Sequence, residues 1–103
     1  MEKIVVLITT PSKEIAEKMG SHLVTARLAA CVNIVSCHSI FFWEGKCCNE
    51  SEALMIIKTR RSLFAPLCAM VKQQHPYSVP EMIALPIAEG SAEYLQWIED
   101  NTH

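Results

Sequence analysis

The chain has 103 residues, a formal charge of -2 and a sequence pI near 6.0, which fits one domain spanning 1-103 and lacks the basic face that a nucleic-acid binder needs. Half of its residues are hydrophobic and 19% are charged, more apolar surface than one small core hides, so some of that surface is expected to meet another subunit. No apolar run approaches the ~20 residues of a membrane helix, and Met1-Glu2-Lys3-Ile4-Val5 lacks the regions of a signal peptide, so no membrane insertion and a cytoplasmic location are expected.

Ile4 to Ile8 is a continuous β-branched run and reads as a central strand. Thr10 is placed to cap a following helix, with Pro11 at its first position and Glu14 in its first turn, where the helix dipole favours negative charge. Ile15, Met19, Leu23, Ala26 and Ala30 recur by threes and fours and form its apolar stripe. From Cys31 the period becomes two, with Val32, Ile34, Ile40 and Phe42 on one parity and Val35, Phe41 and Trp43 on the other. This is a long strand with room for a bulge near Ser36. Glu44-Gly45-Lys46 supplies the glycine of a tight turn, and the chain returns from Cys47 to Thr59, polar near the tip and apolar at the base.

Leu63 to Gln74 fits a second helix with Ser62 as its cap, and His75-Pro76-Tyr77-Ser78-Val79-Pro80 must leave helical geometry because residues before proline favour extended backbone. Met82 to Leu85 is a short strand ended by Pro86, and Ser91 caps a last helix carrying Tyr94, Leu95 and Ile98. The order predicts an α+β fold, a ferredoxin-like split βαβ sandwich with a long β2-β3 hairpin and an extra C-terminal helix.

That hairpin implies assembly. A dozen residues per strand reach ~40 Å, against a diameter near ~35 Å for a compact domain of this length. An overhanging ribbon that carries Phe41, Phe42 and Trp43 invites uncontrolled pairing unless sister subunits cover it in a closed ring.

Leu28-Ala29-Ala30-Cys31-Val32-Asn33, Trp43-Glu44-Gly45-Lys46, Ile56-Ile57-Lys58-Thr59 and His75-Pro76-Tyr77 with Val79-Pro80-Glu81 occur in this order, and together they give the chain a close resemblance to the CutA family of divalent-cation tolerance proteins. The resemblance implies a ferredoxin-like subunit in a tight homotrimer. It also implies association with copper and other divalent cations, or, in animal relatives, with anchoring or maturation of a membrane cholinesterase. Copper sites proposed in the family combine a thiol, an imidazole and a carboxylate. Here the thiol position falls on Ile8 and the imidazole position on Gln74, while Glu81 is kept and His75 is the neighbouring substitute.

His75 and Glu81 are therefore the candidate ligands for a divalent metal ion, copper or zinc, since imidazole and carboxylate suit both. The competing view makes His75 a helix terminator and pairs Glu81 with a cation such as Lys58. Trp43, Lys58, Tyr77 and Glu81 are candidates for a small ligand at a cleft between subunits, or for an ion-pair network that sets subunit register. Cys31 is read chiefly as a packing residue. Cys37 stands ~20 Å from it along one strand. Cys47 and Cys48 are soft-metal candidates beside the turn, with side chains on opposite faces. His38 is expected to be partly solvated and His103 frayed. No nucleophile-base motif or phosphate loop is present in the sequence, so no catalytic residue and no enzyme activity are expected. Two functions stand: metal-ion tolerance with weak ion binding, or a signalling or scaffold trimer that takes a small ligand or protein at its clefts.

Overall fold

A computed structural model describes residues 2–103. The chain runs β1 (Lys3–Thr10), α1 (Lys13–Thr25), β2 (Cys31–Trp43), β3 (Lys46–Arg60), a 3-10 turn (Arg61–Leu63), α2 (Phe64–Gln74), β4 (Met82–Pro86) and α3 (Ala92–Asp100). The strands form one antiparallel sheet in the order β2-β3-β1-β4, the expected ferredoxin-like arrangement. Strand alternation decides which face is covered. Ile4, Val6, Ile8, Met55 and Ile57 are buried with Ala16, Met19 and Leu23 of α1 and Leu67 and Val71 of α2. The opposite face, with Val5, Leu7, Leu54 and Ile56, is less deeply buried.

Several local expectations give way to stronger interactions. Ser12, not Thr10, caps α1: its hydroxyl accepts the Ile15 N–H at 3.2 Å, while Thr10 completes β1 and donates to the Ser12 carbonyl at 2.7 Å. The apolar stripe of α1 stops at Leu23, because the helix ends at Thr25; Ala26 is an exposed cap and Ala30 is buried outside the helix. Gly20 takes a stripe position that side-chain hydrophobicity does not reveal, since a Cβ there would stand 3.3 Å from Val32 Cγ1. Ser62 lies in the 3-10 turn, and no side chain caps α2. The β2–β3 register runs unbroken from Cys31 opposite Lys58 to Trp43 opposite Lys46, so the bulge near Ser36 does not form.

The hairpin overhang is real. β1 pairs with β3 only from Ala53 to Arg60, whereas β2 continues against β3 to the tip, so seven residue pairs, about 23 Å of ribbon, project past the sheet body. Ile40, Phe41, Phe42 and Trp43 on it are 66, 40, 75 and 45% exposed. The turn is Glu44-Gly45 with φ of 50° and 78°, the left-handed pair whose twist matches a two-residue hairpin.

α3 is fixed by charge as well as by the buried Ile98. Glu99 lies 2.8 Å from the Lys3 ammonium and 3.1 Å from the Arg60 guanidinium, which also holds the Thr102 hydroxyl at 2.8 Å and the Thr102 carbonyl. His103 is not frayed: its N–H donates to the Arg27 carbonyl at 3.0 Å, and the Arg27 Nε–H donates to its Nδ1 at 3.1 Å.

Two outcomes follow from these contacts. Gly45→Ala places a Cβ in left-handed backbone and lowers stability by about 1–2 kcal/mol in urea unfolding at fixed protein concentration, with Gly45→Asn less affected. The Lys3 hydrogen bond, helped by Arg60, holds the Glu99 carboxyl below the ordinary carboxylate range. A pKa depressed in the folded state gives stability that is complete above the unfolded value and lost as pH falls through the folded one. Glu99→Gln therefore loses less stability than the parent between about pH 5 and pH 3 in thermal melts.

Candidate functional site

Proline geometry builds the loop at 75–81. His75 ends α2, its N–H still bonded to the Val71 carbonyl at 2.8 Å, and its backbone turns extended at ψ 132° because Pro76 follows. The buried imidazole then faces the end of β1. Its Nε2–H donates to the Thr9 carbonyl at 2.7 Å, and its Nδ1 accepts the Tyr77 N–H at 3.1 Å. A carbonyl only accepts and an amide N–H only donates, so the ring is the neutral Nε2–H tautomer with both nitrogens used.

Tyr77 packs its ring on His75 at a centroid distance of 4.8 Å and donates its phenol hydrogen to Glu52 Oε2 at 2.7 Å. Glu52 sits opposite Cys37, one residue beyond the last β1–β3 pair. The loop is thus tied to β1 through a ring and to the hairpin through a phenol. Burial, the Glu52 hydrogen bond and the negative charges of Glu52 and Glu50 push the Tyr77 phenol up to about 12. Glu52 was not a candidate from sequence, because only the register shows that it lies where β1 stops.

The other candidates stand apart. Glu81 is exposed just before β4. Lys58 lies between Cys31 and Val5 at the opposite end of the sheet, where its ammonium donates to Asn33 Oδ1. The expected Lys58–Glu81 pair is absent among the described residues, since Leu85 is the β4 residue in the Lys58 row. Trp43 is at the hairpin tip opposite Lys46, twelve residues along β3 from Lys58 and so about 40 Å away. Within one chain the ligand-binding quartet is divided among three places. Two surface hollows, of about 480 Å³ beside β4 and about 390 Å³ between α1 and β2, contain none of the quartet.

The donors available to a metal ion are equally dispersed. Both His75 nitrogens are occupied, Ile8 is sealed in the core, and Gln74 Oε1 is 3.0 Å from His22 Nδ1 on the surface. No three of His, Cys, Asp and Glu gather to hold an ion among the described residues, so one chain alone does not fit a resident metal. The cysteines are free thiols; Cys47 is exposed, and burial pushes the Cys68 thiol up. Burial, and then Cys31 beside it, raises the Tyr94 phenol.

With Tyr94→Phe as background, Tyr77 is the remaining tyrosine, and ultraviolet titration is expected to find its midpoint near about 12. Glu52→Gln brings that midpoint down toward the ordinary phenol value. An unchanged midpoint would separate the loop from the hairpin.

Comparison with known proteins supplies relatives along nearly the whole chain. A family model described as CutA1 divalent ion tolerance protein matches residues 4–101. The divalent-cation tolerance protein CutA of Thermus thermophilus is 52% identical over 99 residues, covering 95% of this chain and 96% of that protein. The chloroplastic protein CutA of Arabidopsis thaliana is 50% identical over 100 residues; the match covers 96% of this chain but 55% of the plant protein. The crystal structure of CutA1 from Oryza sativa superposes with a TM-score of 0.97 at 45% identity, covering 100% of this chain and 95% of that one.

Proposed function

Because the chain belongs to the CutA1 divalent ion tolerance family, we propose that it acts in divalent metal-ion tolerance as a non-enzymatic, cytoplasmic homotrimer that binds copper or zinc weakly. The single observation that carries this reading is the ribbon of about 23 Å that projects past the sheet body with Phe42 75% exposed. Burying a side chain of that size contributes roughly 1.5–3 kcal/mol, and a closed ring of copies satisfies the ribbon on every subunit.

The donor set supports weak rather than tight ion binding. Glu81 is exposed and able to coordinate, whereas His75 becomes a ligand only by giving up a hydrogen bond to Thr9 or Tyr77. Calorimetric titration of the assembled protein with copper and zinc, repeated on Glu81→Ala and on Glu81→Ala with His75→Ala, tests this. The expected outcome is micromolar or weaker affinity, lost mainly with Glu81. His75→Ala itself costs about 1–3 kcal/mol of stability, because it leaves the Thr9 and Tyr77 backbone groups without partners. Unchanged affinity in the double variant would remove both ligands.

A second reading, a scaffold or signalling trimer that takes a small ligand at a cleft, draws support from the rigid His75–Tyr77–Glu52 loop. It predicts metabolite-induced thermal shifts that depend on Tyr77 or Lys58 and are indifferent to metal.

A further inference from the structure

What a strand cysteine can react with is decided by the residue across from it. Cys37 faces Glu52, and Cys47 and Cys48 face Phe42 and Phe41, whereas Cys31 faces Lys58. One side-chain oxygen gathers this last pair: the Cys31 thiol, at 3.9 Å, and the Lys58 ammonium both donate to Asn33 Oδ1. With an N–H···O bond of ordinary length, about 2.9 Å, sulfur and nitrogen stand no more than about 7 Å apart. Directly opposed residues have Cβ atoms about 4.5–5.5 Å apart, and the lysine stem is flexible, so Nζ reaches Sγ by side-chain rotation alone. Both residues are half-buried, and Lys58 has no carboxylate within ion-pair distance among the described residues. Tyr94 of α3 stands beside the sulfur with its ring stacked on Trp97 at 5.5 Å. Cys68 supplies the contrast, since Lys72 follows it by four residues on α2. Burial pushes that thiol up against the pull of Lys72, leaving less of the thiolate that reacts.

We propose that Cys31 and Lys58 form a peroxide-modified pair, in which hydrogen peroxide joins Sγ to Nζ. The Cys31 thiolate attacks one peroxide oxygen and the O–O bond breaks. Cys31 becomes a sulfenic acid, and the second oxygen leaves as hydroxide, which takes up a proton to give water. Lys58, having released a proton to solvent, then attacks the sulfur with its nitrogen lone pair. The S–O bond breaks, a second water leaves, and an S–N sulfenamide bond remains. Sulfur has given up the two electrons that peroxide accepts, so the exchange balances. A low-molecular-weight thiol reverses it: one thiol attacks the sulfur and frees the amine, and another releases Cys31 from the mixed disulfide. The joined nitrogen no longer carries the ammonium charge, so peroxide erases a cation at this end of the sheet and a reductant restores it. Asn33 is the positioning residue, because its one oxygen holds both partners before they react. The pair requires no metal ion and is independent of metal binding.

Peptide mass spectrometry on the full chain tests this after exposure to hydrogen peroxide, with a chelator present so that copper-driven oxidation plays no part. The expected product is a cross-linked tryptic peptide containing Cys31 and Lys58, lighter by two hydrogens than its two parts and no longer cut after Lys58. Excess dithiothreitol is expected to return both peptides. Lys58→Arg keeps the charge and loses the cross-link, while a 1,3-dione that traps sulfenic acids now labels Cys31. Cys31→Ser loses the cross-link as well; circular dichroism checks both folds, and if the serine variant does not fold, Lys58→Arg with trapping decides. Cys31 left as a thiol, or carried to a disulfide or sulfinic acid with Lys58 still cut, overturns the proposal. A cross-link of Cys68 to Lys72 in its place overturns it too.

Discussion

Everything in this molecule is arranged around the fact that β3 is longer than the partner on its inner side. Its residues from Ala53 to Lys58 are held between β1 and β2, Thr59 and Arg60 have β1 alone, and those from Lys46 to Glu52 have β2 alone. The paired half makes the core, because its buried parity faces α1 and α2. The other half makes a ribbon whose backbone is satisfied by a single neighbour and whose side chains have no body beneath them. A two-stranded ribbon is marginal by itself in water, so the same strand that completes the core also carries the least supported part of the sheet.

The candidate site is a consequence of where β1 stops. Thr9 offers its carbonyl to His75 and Glu52 offers its carboxylate to Tyr77, and both lie within a residue or two of that end. The proline-bounded loop is therefore a clamp over the exit of the hairpin from the sheet. Fixing the His75 tautomer through two backbone groups makes the ring a structural strut. This is the competing role that the sequence left open for it, and the geometry of one chain favours that role over ligation.

Much of the architecture was legible in the residues because it depends on period. The two-residue period from Cys31 to Thr59 gave the hairpin, the Gly45 turn gave its tip, and Ser91 gave the start of α3. The errors arose where a tertiary contact outranked a local signal. Thr10 has the chemistry of a helix cap, but β1 uses it, and its hydroxyl reaches Ser12. Gly20 has no side chain to advertise that it faces the core, and its role is visible only from the approach of Val32. For the site, His75 and Tyr77 stood out because prolines mark their loop, whereas Glu52 and its contact with Tyr77 became visible only through strand register. Trp43 and Lys58, assigned to a cleft between subunits, stand far apart within one chain because a strand separates residues linearly, whatever their shared parity.

The pairing of β1 also bears on the order in which the fold is completed during synthesis. Its inner edge takes β3, which ends at Arg60, but its outer edge waits for Met82–Pro86. Hairpin and central strand are joined by contacts that close early, while the last strand must return across most of the chain to residues 4–8. For that interval a nascent chain carries an unsatisfied β1 edge beside an already formed aromatic ribbon. The arrival of β4 closes that edge, so the sheet is completed only after α2 and the proline loop have been made.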